Sequence, residues 1–179
     1  MVTRGYVLAG GASKRMGRDK ARLPFPGAAP MATHVARVLR LAGLKVAIVR
    51  ATHDGPFVDE DGLSVRVIAD GGGDRHPLVG VAAALEDAGT GLVLMVPCDL
   101  PWLDQDSVCA LIAAGTEGVA WDGEREHPLF GVLDAARADR CRSLAASNSP
   151  VRDLTAGLPR VTVEPRAVRN ANTPDALDG

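Results

Sequence analysis

No apolar run in this 179-residue sequence approaches the ~20 residues of a membrane-spanning helix. Its first residues, Met1-Val2-Thr3-Arg4-Gly5, lack the apolar core of a signal peptide. It carries no large excess of charge. The formal net charge of −2 leaves no broad electrostatic footprint for nucleic acid or an anionic membrane. The three cysteines, Cys98, Cys109 and Cys141, are odd in number and have no metal-ligand spacing. They read as reduced thiols that pack in the interior of a cytoplasmic protein. Internal repeats, low-complexity tracts and linkers are missing, so one domain over residues 1–179 is expected. No persuasive Ser–His–Asp set or paired-carboxylate acid/base site is present. What remains is 46% apolar and 23% charged, an ordinary globular composition long enough to bury a core.

Apolar strands alternate with helical patterns along the chain, which predicts an α/β fold with a mostly parallel central sheet and helices on both faces. Strands are expected near 5–9, 45–49, 64–69, 91–96, 118–121, 128–133 and 160–163. Helices are expected near 31–42, 77–88, 104–112, 135–145 and 151–156. Gly43 reads as the cap that ends the first helix, and Asp104 as the cap that starts the third. Residues 52–62 read as a polar, acidic loop.

The most informative stretch follows the first strand: Leu8-Ala9-Gly10-Gly11-Ala12-Ser13-Lys14-Arg15-Met16-Gly17-Arg18-Asp19-Lys20. Glycines let backbone N–H groups turn toward an anion, and Arg15, Arg18 and Lys20 can neutralise it. The loop is not a Walker A motif, because the Gly-Lys-Ser/Thr ending is absent. It is not the dinucleotide fingerprint either, because Gly10, Gly11 and Gly17 are wrongly spaced. In a parallel α/β sheet the loops after the strands share one edge, and ligands bind there. That rule brings this loop together with Asp70, after the third strand, and Asp99, after the fourth. Two carboxylates beside a basic Gly-rich loop suit a nucleoside triphosphate with Mg²⁺. The plainer readings are that Asp99 caps a turn and that Asp70, ahead of three glycines, marks one.

The run from Leu8 to Lys20 resembles the signature loop of the molybdenum cofactor nucleotidyltransferases, most closely the guanylyltransferase subgroup. Pro77-Leu78-Val79-Gly80, Pro97-Cys98-Asp99-Leu100-Pro101, His127-Pro128 and Asn170-Ala171-Asn172-Thr173-Pro174 resemble later motifs of that family, in family order. The Gly10-Gly11 pair favours the guanylyl subgroup over its cytidylyl relatives. The resemblance implies a Rossmann-like nucleotidyltransferase fold. It implies transfer of GMP from GTP to the phosphate of molybdopterin with release of pyrophosphate. By position, the backbone of Leu8, Ala9, Gly10 and Gly11 would contact base and ribose. Arg15 and Lys20 would hold the triphosphate, Asp70 would approach the nucleotide, and Asp99 would bind Mg²⁺. Asn170 and Asn172 would face the pterin. Transient contact with cofactor-synthesis proteins or molybdoenzymes would fit such a role.

Two positions depart from the family. His76 stands where a Gly usually precedes Pro-Leu, and its imidazole either narrows the pocket or caps the helix at Pro77. Arg50 ends the second strand where guanylyl enzymes often carry Asn; it either enters the nucleotide region or is solvated, the commoner fate of Arg. Trp102 and Trp121 read as packing residues, with Trp102 placed to line a pocket mouth. Alternative functions are the same chemistry with CTP or a sugar or polyol phosphate, and a nucleotide-binding relative without turnover. A Rossmann-type dehydrogenase is disfavoured by the missing fingerprint.

Overall fold

A computed structural model describes residues 1–10, 20–24, 30–52, 55–59, 61–71 and 76–170. Its centre is an eight-stranded sheet in the order β3-β4-β2-β1-β5-β7-β6-β8. The strands are β1 (Arg4–Leu8), β2 (Lys45–Arg50), β3 (Phe57–Val58), β4 (Ser64–Ala69), β5 (Leu92–Pro97), β6 (Gly118–Trp121), β7 (Glu126–Asp134) and β8 (Arg160–Thr162). The helices are α1 (Met31–Leu41), α2 (Pro77–Ala88), α3 (Gln105–Ala113), α4 (Ala138–Ala146) and α5 (Arg152–Thr155).

Side chains alternate across the pleat, and the core splits accordingly. In β1, Val7 joins a layer with Val35 and Leu39 of α1, while Tyr6 and Leu8 join one with Leu78 and Leu85 of α2. The sheet is therefore covered by helices on both faces. Gly43 ends α1 as expected: it sits at φ +86°, and the amides of Gly43 and Leu44 donate back to the carbonyls of Arg40 and Leu39. The Asp104 carboxylate accepts from the Ser107 amide (2.7 Å) and caps α3.

The pairs β1–β2, β1–β5, β2–β4 and β6–β8 are parallel. The pairs β3–β4, β5–β7 and β6–β7 are antiparallel. Sequence alternation alone could not assign direction to β7. Residues 52–62 also contain more than a loop, because Phe57 and Val58 add a short antiparallel edge strand to β4. The Phe57 side chain is fully buried there.

Direction reverses around β1. Its chain leads through α1 to β2 on one side, whereas β5 arrives on the other. Such a topological switch point is where open α/β sheets bind ligands, outside the carboxyl ends of the strands. Backbone bonds stitch this edge together. The Ala9 amide donates to Val49 (2.8 Å), Cys98 to Leu8 (3.0 Å) and Asp70 to Arg50 (2.9 Å). Among the described residues, no helix is long and apolar enough to cross a membrane.

Candidate nucleotide-binding and transfer site

The carboxyl edge gathers the ends of β1, β2, β4 and β5. Leu8 is buried, Ala9 is half-buried and Gly10 is exposed as the chain leaves β1. The Asp70 carboxylate lies directly over this exit. A Cβ added at Gly10 would meet Asp70 Oδ2 at 3.2 Å, and one added at Gly80 would meet the same oxygen at 3.8 Å. Two glycines from different elements thus flank one carboxylate. Gly80, in the first turns of α2, lets the helix start stand close to Asp70 and to Val49 of β2.

Asp99 is half-buried in the turn after β5, between buried Cys98 and buried Leu100. The Leu103 amide donates to the Leu100 carbonyl (3.1 Å) and closes that turn. Lys20 begins a short 3-10 turn, Lys20–Arg22, anchored by fully buried Ala21. Asn170 is exposed after a second such turn, Pro165–Val168. Arg15, Gly11 and Asn172 lie outside the described residues.

The Asn170 segment and the Asp99 turn meet through a stacked pair. The guanidinium of Arg169 sits 4.9 Å from the centroid of the Trp102 ring. On the far side of the edge, Phe57 lies near two cations, Arg22 at 4.4 Å and Arg50 at 5.2 Å from its ring centroid. Arg50 is buried, which corrects the solvated reading. Phe57, carried by β3, reaches the Arg50 guanidinium across β4, a contact invisible to local patterning. Arg22 was not singled out from the sequence, although it continues the basic run that ends in Lys20.

His76 is a cap. Its Nδ1 accepts from the Leu78 amide (3.3 Å), and its Nε2 lies 2.9 Å from the Ser149 carbonyl. That fixes Nε2–H as the donor and ties the start of α2 to the turn after α4. Nearby, Arg142 of α4 forks onto Glu86 at 2.7 and 2.8 Å. Its guanidinium is held further toward the charged form, first by the Glu86 hydrogen bond, against burial, then by the charges of Glu86 and Asp70.

The β6–β7 hairpin pairs the motif residue His127 with Asp122, which motif reading missed. Asp122 Oδ1 accepts from the amides of Glu124 (2.9 Å) and Arg125 (2.8 Å), and Oδ2 contacts His127 Nε2 (2.8 Å). These donors, led by the Arg125 amide, hold the Asp122 carboxyl well below the usual carboxylate range despite opposing desolvation. The Asp122-Gly123 dipeptide between two strands was the available signal. Pairing jumps from Val119↔Gly131 to Ala120↔His127, a bulge at Pro128–Phe130. Such bulges bend a strand and re-aim its side chains. From the Met95↔Gly131 pair the chain runs four residues toward the carboxyl edge on each side, through the end of β5 to Asp99 in the following turn and back along β7 to His127.

The tryptophans are neither fully packed nor free. Both are half-buried, and Trp121 lies under Arg160 at 4.2 Å. Cys98 and Cys141 are buried, but Cys109 is exposed, against the expectation that all three pack inside. It lies on the outward face of α3, whose buried positions are Ser107, Val108 and Leu111.

Comparison with known proteins decides the family. Residues 5–162 match the MobA-like NTP transferase domain. The chain belongs to the MobA-like NTP transferase domain family. It is 33% identical to a molybdenum cofactor guanylyltransferase of Rhodobacter capsulatus, over 97% of this chain and 92% of that protein. Among solved structures it resembles molybdopterin-guanine dinucleotide biosynthesis protein A of Archaeoglobus fulgidus, with TM-score 0.73 and 18% identity over 98% and 95% of the two chains. It also resembles the 2-C-methyl-D-erythritol 4-phosphate cytidylyltransferase of Thermus thermophilus, with TM-score 0.69 and 19% identity over 99% and 96%. At these identities the structural likenesses establish the fold. Membership of the MobA-like family is consistent with use of a divalent metal. The carboxylates at the carboxyl edge are Asp70 and Asp99, and among the described residues no group of three or more His, Cys, Asp or Glu could hold an ion alone. Carboxylate oxygens completed by phosphate oxygens and water suit a hard divalent cation.

Proposed function

We propose that this chain is a Mg²⁺-dependent nucleotidyltransferase that moves GMP from GTP onto the phosphate of molybdopterin and releases pyrophosphate. The observation that carries the reading is the carboxyl edge, where Gly10 and Gly80 flank Asp70 and the turn of Asp99 is bonded to the end of β1. Full-length similarity to a named guanylyltransferase supports the choice of substrates.

The backbone of Leu8, Ala9, Gly10 and Gly11 binds base and ribose. Arg15 and Lys20 hold the triphosphate. Asp70 orients the nucleotide from above the first loop, and Asp99, with phosphate oxygens, would hold Mg²⁺. Bound there, Mg²⁺ would supply charge neutralisation on the phosphates. Asn170 and Asn172 hold the pterin. An oxygen of the acceptor phosphate attacks the α-phosphorus of GTP. The bond to the bridging α–β oxygen breaks, and pyrophosphate leaves with that electron pair. The nucleophile is already anionic, so no strong general base is needed. The residues supply alignment and cationic neutralisation of the leaving group. Three thiols without metal spacing suit a cytoplasmic setting for this chemistry.

CTP is the second reading, because Arg50 stands where the guanylyl subgroup often has Asn, and because a cytidylyltransferase shares the fold. Purified protein is incubated with Mg²⁺, molybdopterin and each nucleoside triphosphate in turn, and pyrophosphate is measured. Release with GTP alone is the expected result. Release with CTP but not GTP removes the guanylyl assignment, and no release with any nucleotide removes the enzyme.

A further inference from the structure

We infer that Trp102 and Arg169 form a clamp for the planar ring of the acceptor substrate; the identity of that acceptor rests on the function proposed above. The two residues are far apart in sequence, yet each follows directly on a buried anchor. Trp102 lies between buried Pro101 and buried Leu103, in the turn that carries Asp99. Arg169 follows fully buried Ala167 and Val168 and precedes exposed Asn170. Backbone positions are therefore fixed on both sides, while the two side chains stay at least partly open.

A second Arg–Trp stack among the described residues shows what a structural version looks like. Arg160 lies over Trp121 and is also pinned by the Glu126 carboxylate at 2.8 Å. Arg169 forms no salt bridge among the described residues, and its side-chain contact is the Trp102 ring at 4.9 Å. An unpinned guanidinium over an indole, at a looser distance, is easily displaced or stacked upon. A planar heteroaromatic ring can insert against the indole or lie on the outer guanidinium face. The positive charge simultaneously favours an acceptor that carries a phosphate. Position agrees with chemistry: the pair stands between the Asp99 turn and Asn170. The alternative role is a clasp that only docks the C-terminal segment.

The chain contains two tryptophans, so Trp121→Phe leaves Trp102 as the sole indole. That variant is titrated with molybdopterin and, separately, with GTP and Mg²⁺. Saturable change of Trp102 emission with molybdopterin, and little change with GTP, is expected. Steady-state kinetics then follow for Arg169→Ala, Arg169→Lys, Trp102→Phe and Trp102→Leu. Arg169→Ala and Trp102→Leu are expected to raise the acceptor KM at least fivefold while the GTP KM stays within twofold. Trp102→Phe and Arg169→Lys retain part of the affinity. Arg169 is exposed, so its variant remains decisive if Trp102→Leu folds poorly. Emission unmoved by molybdopterin, or both KM values rising together, overturns the clamp. Absence of turnover with every nucleotide overturns the proposed function instead, and the emission titration still decides the clamp.

Discussion

Gly80→Ala separates stability from function at one atom. Gly80 lies inside α2, where glycine is less stable than alanine by about 0.5–1 kcal/mol. Among the described residues, the added Cβ would meet nothing closer than 3.8 Å, the distance to both Asp70 Oδ2 and Val49 Cγ1. That is ordinary contact, so no strain offsets the helix gain. For a chain of this size each kcal/mol moves Tm by about 2–4 °C, so a rise of about 1–4 °C is expected. The same methyl faces the Asp70 carboxylate that Gly10 also approaches. It therefore narrows the space proposed for the nucleotide. A misfit of about 1.4 kcal/mol is tenfold in affinity, so the GTP KM is expected to rise by about that factor. The acceptor KM should stay within twofold. Calorimetry and pyrophosphate release measure the two halves. A lower Tm would refute the packing argument, and a higher Tm with unchanged GTP KM would refute the role of this glycine. Gly10→Ala, whose Cβ would stand 3.2 Å from Asp70 Oδ2, should weaken GTP in the same way without the helix gain.

Other expectations test the fold and the site. In Gly131→Ala the new Cβ would stand 2.5 Å from the Gly118 carbonyl, so β6 or β7 must move. A loss of about 1–3 kcal/mol follows, seen as a lower urea midpoint with an unchanged slope; an unchanged midpoint would contradict the register. Tyr6 is the only tyrosine, and its hydroxyl donates to Asp87 (2.8 Å). Burial, then the Asp87 hydrogen bond and charge, push its pKa up to about 12. The raised value means the folded state holds the proton more tightly. Its stabilisation is complete below about pH 10 and fades as pH rises toward 12. Tyrosinate absorbance should titrate near 12 in folded protein and near 10 in urea, and coincident curves would contradict the buried bond. Asp99→Ala should lower kcat at least a hundredfold with its Tm preserved, and full activity would show that Asp99 holds no metal.

Much of this fold was legible because β1, β2, β4 and β5 carry continuous or alternating apolar runs, and their order with the helices dictates a layered sheet. The carboxyl-edge rule puts Leu8, Asp70 and Asp99 on one edge from strand order alone. Contacts between distant segments were not legible. Phe57, whose ring lies against the buried Arg50, arrives from a two-residue strand too short to show a period. The antiparallel course of β7 depends on its partner β5, because the same apolar residues suit either direction. The Asp122–His127 bond needs the bulge at Pro128–Phe130, which local composition does not encode. The approach of Gly80 to Asp70 likewise depends on how α2 seats against β2 and β4.

Following the nucleotide's phosphorus tests the central claim most directly. GTP labelled on its α-phosphate is incubated with the protein, Mg²⁺ and molybdopterin, and a parallel reaction carries the label on the γ-phosphate. The account expects the α-label on the pterin product and the γ-label in pyrophosphate, with both signals lost in Asp99→Ala. An α-label that stays on free GMP, or a γ-label released as orthophosphate, would contradict it.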